Sequence, residues 1–463
     1  MSGTLASPLL RVAMPAVSSS DAVFEKARPN LGRYLLLITQ LGLLLGVFRV
    51  FRVEEFLHST EQLESENLIF FITCCIAFAA FAIHYWLPFR YKEGFWITVS
   101  LLATSFFFPP RVIAALFGFG ALFYLVLSTR RSYGIRIGIV TAVFVAAMVA
   151  CAYPTMARHV LGRLEIPTDT WPIFGSIFMF RLIIYAHDVR YMKERPSLRE
   201  YLAYFFILPN YYFQLFPVVD FKTMRLGYYR RDIHDVAQQG IQWMYRGTLQ
   251  LILYIGVNTL WNSATLHRPN SFSSVLWVMV LTFLLYLHVS GQFHIAIGML
   301  HLFGYDLPET NHKYLLAHSL TDFWRRINIY WKDFMVKIVY FPMYFRFRKS
   351  NEMGAKLAAT GAVFVVTWLL HSYQSFWLRG NFKFTWTDTI FWTVLGGIVI
   401  LETWRGEDRK SDISIHGWRG WLRHLASVVG TALFIITIWS LWNSPTIGAW
   451  LDLVGWWRPT TVK

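Results

Sequence analysis

Charged residues are scarce in this chain of 463 residues: Asp, Glu, Lys and Arg make up 15% of it, where a soluble globular chain carries about 25%. Acids are scarcer than bases, 27 against 43, which leaves a formal charge of +16. In a soluble chain such an excess would suggest nucleic acid. Here no basic run is interleaved with base-stacking aromatics in a polar segment, so no nucleic-acid partner is expected. Cysteine is nearly absent. Cys74 and Cys75 are adjacent inside one apolar run and Cys151 lies near the end of another, which excludes a disulfide framework and the usual metal spacings. There is no G-x-x-x-x-G-K-[ST] loop and no G-x-S-x-G elbow, so neither an ATP-driven machine nor a serine-hydrolase triad is indicated. Repeats, low-complexity tracts and strand signals are missing too.

Apolar residues are what the chain has in abundance. Hydrophobic side chains make up 55% and aromatics 18%, and the mean hydropathy is +0.41. A membrane helix needs about 20 mainly apolar residues. Candidate spans are Tyr34–Val50, Leu68–Leu87, Phe95–Phe108, Val112–Leu127, Ile137–Tyr153, Ile173–His187, Thr248–Trp261, Ser274–Phe303, Ala355–His371, Thr389–Glu402 and Leu425–Leu441. The expected fold is therefore an all-α, polytopic membrane bundle of about 11 transmembrane helices. Residues 1–30 read as a flexible cytoplasmic tail, 31–450 as one transmembrane domain and 451–463 as a short C-terminal tail. The apolar run Leu5–Val17 has Arg11 in its middle and no basic residue ahead of it, unlike a cleaved signal peptide.

Loop charges predict a topology. Lys26, Arg28 and Arg33 precede the first span, and the next loop carries Glu54, Glu55, Glu61, Glu64 and Glu66. Basic loops favour the cytoplasmic side, which puts the N-terminus inside. The segment Asp188–Arg246 holds nine Lys/Arg and is expected on the same side. Residues 305–350 are too charged to span lipid and too aromatic for a solvated loop. They read as interfacial or re-entrant helices, which tolerate irregular backbone only beside protein or a water-filled cavity.

A few residues could carry chemistry. His371 ends the apolar run Ala355–Leu370, flanked in sequence by Trp368, Tyr373, Gln374 and Trp377. An ionisable group there either lines a cavity, where imidazole suits proton transfer at neutral pH, or is an inert histidine at a helix end. Ser319 is a candidate helix cap with Asp322 in the box position. On the helix that follows, Trp324, Asn328 and Trp331 would share one face. The Asn328 amide is then either satisfied structurally or offered to a ligand. Arg325 and Arg326 could hold a phosphate or carboxylate, or snorkel to lipid headgroups. His288, His294 and His301 lie on one span, but helical metal ligands usually come three or four apart, so no metal site is expected.

Three stretches in order resemble the membrane-bound O-acyltransferase family. Ser290-Gly291-Gln292-Phe293-His294-Ile295-Ala296-Ile297-Gly298 is similar to S-G-[YF]-S-D-[IM]-A-I-G. Leu302-Phe303-Gly304-Tyr305-Asp306-Leu307-Pro308-Glu309-Thr310-Asn311 is similar to L-[LF]-G-F-x-[LF]-P-E-N-F. Ser319-Leu320-Thr321-Asp322-Phe323-Trp324-Arg325-Arg326-Ile327-Asn328-Ile329 resembles S-I-S-D-F-W-R-R-W-[HN]-I-S. The resemblance covers about residues 170–380. The family's W-H-G-like motif reads Trp368-Leu369-Leu370-His371-Ser372 here and its two acidic positions near the S-G motif are His288 and His294, differences that suggest a divergent bacterial branch.

The resemblance implies a helical bundle around a tunnel in a cell (inner) membrane. The implied activity moves an acyl group, acetyl above all, from a thioester to a hydroxyl. No cofactor is implied beyond the donor substrate, acetyl-CoA or another acyl-CoA, or a carrier-protein thioester as in teichoic-acid D-alanylation. The implied acceptor is a cell-surface glycan or lipid, and an extracytoplasmic acyltransferase is an implied partner protein. His371 and Asn328 are the implied catalytic pair. Arg325, Arg326, Trp324, Trp331, Trp368, Tyr373 and Gln374 are expected at the substrate. A transporter or flippase, or a non-catalytic scaffold of the same fold, are the rival readings.

Overall fold

The computed structural model describes residues 28–51, 64–162, 166–212, 217–406 and 417–455. Nearly all of the expected N-terminal tail, Glu54, Glu55 and Glu61 of the acidic loop, and residues 456–463 of the C-terminal tail lie outside the described residues. Among the described residues the chain is a bundle of α-helices without strands, with one isolated bridge between Tyr228 and Tyr305.

Among the described residues, seven helical segments are long and apolar enough to cross a membrane: Leu31–Val50, Pro110–Ser128, Tyr133–Ala152, Thr170–Tyr191, Phe272–Leu302, Glu352–Arg379 and Gly417–Asn443. This is fewer than the eleven expected. Leu68–Leu87 corresponds to a shorter apolar helix, Phe71–His84. The segments Phe95–Phe108, Thr248–Trp261 and Thr389–Glu402 fall on helices with polar ends, Phe89–Phe107, Ile233–Thr265 and Trp386–Trp404. The long outer helices present Leu35, Leu43, Phe106, Leu125 and Val145 outward, a surface suited to lipid rather than water.

The centre of the bundle is a helix pair. Ile233–Thr265 lies along Leu287–Leu302, and glycines hold the two backbones against each other. A Cβ on Gly247 would stand 2.5 Å from the Gly291 carbonyl oxygen, and one on Gly298 would stand 2.6 Å from that of Gly240. The seven-residue spacing on each helix, Gly240 to Gly247 and Gly291 to Gly298, repeats the contact after two turns. The glycines that bracket the first family-like stretch thus have a packing role.

Three interruptions bring irregular backbone into the bundle. The expected Ile173–His187 span is two helices, Thr170–Phe178 and Arg181–Tyr191, joined at Met179–Phe180. The expected Ser274–Phe303 span is broken at Leu285–Tyr286, where the Tyr286 N–H turns back to the Phe283 carbonyl three residues earlier at 3.0 Å. The third break, at Ile327–Asn328, separates Leu320–Arg326 from Ile329–Met335. In residues 305–350 the α-helices are seven residues each, Leu320–Arg326, Ile329–Met335 and Phe341–Phe347, the last two linked by a π-turn. Leu320–Arg326 is too short to cross a bilayer, whereas Ile329–Phe347 runs as one continuous helix through its π-helical middle.

The basic segment Asp188–Arg246, expected on the cytoplasmic side, folds back into the core. Its short helices bury Tyr201, Tyr204, Phe205, Phe206 and Leu208 completely or nearly so. Lys337 anchors it by pairing with both Asp188 and Asp220.

Candidate functional site

His371 lies inside a helix, not at its end. Asn351 caps the start of Glu352–Arg379 by accepting the Gly354 N–H at 2.9 Å, and Gly380, at φ 76°, ends it. No helix breaker stands between His371 and Gly380, so the helix continues for two more turns beyond the apolar run. A close approach at Gly175, where a Cβ would meet Trp377 Cβ at 2.5 Å, packs this helix against Thr170–Phe178. On the opposite side Gly396 admits the Phe364 ring.

One face of the helix opens on a cavity of about 500 Å³. Trp368, His371, Gln374, Ser375, Leu378 and Arg379 all line it, which is the i, i+3, i+4, i+7 stripe of a single helical face. The opposite walls come from the three helix breaks: Met179 and Phe180, Leu285 and Tyr286, and Asn328. Irregular backbone therefore collects where a cavity covers it.

The His371 imidazole sits among three indoles. Its centroid is 4.9 Å from that of Trp392, 5.8 Å from that of Trp331 and 5.8 Å from that of Trp442. No described group hydrogen-bonds to it, so its polar atoms are available to whatever occupies the cavity.

Asn328 reaches the same cavity by a route the sequence pattern misses. Trp324, Asn328 and Trp331 do not share a face of one helix, because the helix breaks between them. Asn328 takes left-handed dihedrals, φ 41° and ψ 60°, and caps the following helix by accepting the Trp331 N–H at 3.3 Å. Asparagine is among the few non-glycine residues that tolerate this conformation. Its backbone N–H donates to Asn311 Oδ1 at 2.8 Å. Asn311 is fully buried, accepts the Tyr286 hydroxyl and donates to Ser290 and Thr310. The three family-like stretches therefore meet at the Asn311 amide, whose two donors and two acceptor sites are all used. The Asn328 Nδ2 donor makes no hydrogen bond to a described group.

Of the residues expected at the site, the cavity brings together His371, Asn328, Trp331, Trp368 and Gln374. It does not include the other four. Trp324 packs on Phe364 and Trp392, behind the indole that faces His371. Tyr373 packs on Phe180 and Trp377. Arg326 pairs with Asp322 at 2.8 Å within its own helix, and Arg325 is absent from the cavity wall. Ser319 does cap that helix, through the Asp322 N–H at 3.1 Å, while Glu402 accepts the Leu320 and Thr321 N–H groups.

The three histidines of the central helix serve packing. His301 Nδ1 contacts the Ile297 carbonyl at 2.9 Å, and its Nε2 accepts the Leu307 N–H at 3.3 Å. His294 binds the Ser290 carbonyl at 2.7 Å, and His288 stacks on Tyr254. Gly240 and Gly247 leave room for His301 and His294. Among the described residues no three His, Cys, Asp or Glu gather as a metal site would require.

Sequence reasoning missed several wall residues. Asp388 is the one carboxylate among the cavity's lining residues. Its Oδ1 accepts the Trp442 indole N–H at 2.5 Å and its Oδ2 accepts the Thr385 hydroxyl at 2.5 Å. Trp442 thus touches His371 with its ring and Asp388 with its N–H. Arg181, Arg379 and Lys383 add three cations to the wall. The pattern Thr385-Trp386-Thr387-Asp388 ahead of an apolar run was a readable cap signal. Nothing in sequence links it to His371.

No protein-family model matches the chain, and no curated protein matches it either.

Proposed function

We propose that this protein is a membrane-embedded O-acyltransferase, of the membrane-bound O-acyltransferase kind that its sequence resembles. It acts in a bacterial cell membrane and transfers an acyl group, acetyl above all, from a thioester donor to a hydroxyl of a surface glycan or lipid. The observation that carries the reading is the meeting of His371 and Asn328 in one cavity, with Trp331 capped by one and packed on the other.

His371 accepts the proton of the acceptor hydroxyl as its oxygen attacks the thioester carbonyl. The new C–O bond forms, the C–S bond breaks, and the departing thiolate takes the proton back from the imidazolium. General-base help of this kind is worth about 10²–10⁴ in rate. The Asn328 Nδ2 donor is suited to the oxyanion that develops on the carbonyl, in a site where indoles exclude water. Asp388 offsets the charge that His371 acquires.

Acyl transfer from labelled acetyl-CoA and from an acyl-carrier thioester, assayed with purified protein in nanodiscs, tests the reading. His371→Ala should abolish transfer while the protein keeps its melting temperature. A variant with near wild-type activity overturns the assignment. Mass spectrometry of surface glycans and lipids from cells with and without the protein identifies the acceptor.

A second reading, a transporter, is favoured by the interrupted helices around the cavity, since transporters bind substrates at such breaks. Substrate counterflow in proteoliposomes without any acyl donor, unaffected by His371→Ala, would select it.

A further inference from the structure

We infer that the cavity takes a ligand bearing an anionic group, phosphate or carboxylate, which is held by Arg379 and Lys383 at the mouth. On the acyltransferase reading, on which this rests, the ligand's reacting hydroxyl lies deeper, at His371.

Two observations carry the inference. The first is charge. Arg379 and Lys383 both line the cavity, and neither has an ion pair or a hydrogen bond to a described group. The wall's carboxylate, Asp388, is not their partner, because both of its oxygens are taken by Trp442 and Thr385. Buried Arg181 adds a third positive charge to the same wall. A low-dielectric pocket lined by an excess of one sign attracts the opposite sign, and guanidinium and ammonium groups bind carboxylate or phosphate through charge-assisted hydrogen bonds.

The second is length. Arg379 stands eight residues beyond His371 on an unbroken helix, which is about 12 Å along the axis at 1.5 Å per residue. Gln374, Ser375 and Leu378 mark the path between them on the same face. The ligand's anionic group and its reacting hydroxyl are therefore separated by roughly that distance.

The same chemistry could arrive on a soluble phosphate ester or on an anionic lipid, and two measurements separate the sources. In phosphatidylcholine nanodiscs, calorimetry compares glycerol phosphate binding to the wild type and to the Arg379→Gln/Lys383→Gln double variant. In mixed discs, native mass spectrometry counts phosphatidylglycerol retained by the same two proteins. Both cationic side chains are exposed, so the double variant should fold.

The double variant is expected to bind about tenfold or more weakly than the wild type. A difference in the calorimetry arm assigns a soluble phosphate ester, and one in the lipid arm assigns a lipid headgroup. If neither arm separates wild type from double variant, the inference is overturned. Neither measurement uses an acyl donor, so binding without transfer would overturn the acyltransferase reading alone. Transfer that is indifferent to the double variant, with no binding difference, would overturn this inference alone.

Discussion

The Asn328 side-chain oxygen caps the backbone N–H of Trp331 at 3.3 Å, and the Trp331 ring stands edge-on to His371. The residue that breaks the helix also aims the ring against the histidine. Structure and chemistry at Asn328 can be separated by substitution. Asn328→Asp keeps the capping oxygen and loses the Nδ2 donor. It should melt within a degree or two of wild type and lose most of its transfer rate. Asn328→Ala loses the cap and strains the left-handed backbone, and should cost about 1–2 kcal/mol of stability. Thermal melts in detergent beside a transfer assay check both.

Asp388→Asn keeps an acceptor for the Trp442 indole N–H, turns its amide nitrogen to donate to the Thr385 hydroxyl, and removes the negative charge. Turnover is expected to fall at least about tenfold, because the imidazolium formed during reaction loses an opposite charge in a water-poor site. KM should change little. A change in KM alone, with turnover intact, would show that Asp388 acts on the substrate instead of on His371.

The glycine contacts of the central pair predict opposite outcomes on one helix. Gly247→Ala places a Cβ within 2.5 Å of the Gly291 carbonyl oxygen, and forcing the helices apart should cost about 1–3 kcal/mol. Gly256 has nothing within 4 Å of its built Cβ. Gly256→Ala should therefore stabilise by about 0.5–1 kcal/mol, through helix propensity alone. Paired melting curves decide.

Asp306 predicts a pH dependence outside the spans. Burial by itself would raise this carboxyl, but the hydrogen bonds and charges of Arg231 and Arg230 outweigh it and hold the group below its ordinary value. A depressed carboxyl contributes stability that is present above the unfolded value, about 3.9, and is lost as pH falls through the folded value. Wild-type melting temperature should drop on acidification below about pH 4. Asp306→Asn should lower stability at neutral pH by about 2 kcal/mol and flatten that acid limb. Melts across pH 3–7 provide the test.

The bundle was readable in the sequence because apolar run length is a local property. Every run expected to span falls on helix, although Ile173–His187 and Ser274–Phe303 are each a broken pair. The interruptions were not readable. Met179–Phe180 and Leu285–Tyr286 contain no Gly or Pro, so nothing punctuates them, and tertiary packing sets the break. Asn328 could be singled out as an amide among aromatics, but its left-handed turn depends on Asn311, 17 residues away. The pairing of Trp442 with Asp388, separated by 54 positions, is wholly tertiary and left no local trace.

The cavity walls also impose an order on biogenesis. Trp439, Trp442 and Asn443 belong to the Gly417–Asn443 helix, which leaves the ribosome after every other wall of the cavity has been made. Until that helix inserts, Asp388 lacks its indole donor and His371 lacks one of its three aromatic neighbours. A nascent chain therefore carries His371 in an unfinished enclosure, which closes only when the Gly417–Asn443 helix has been delivered to the bilayer.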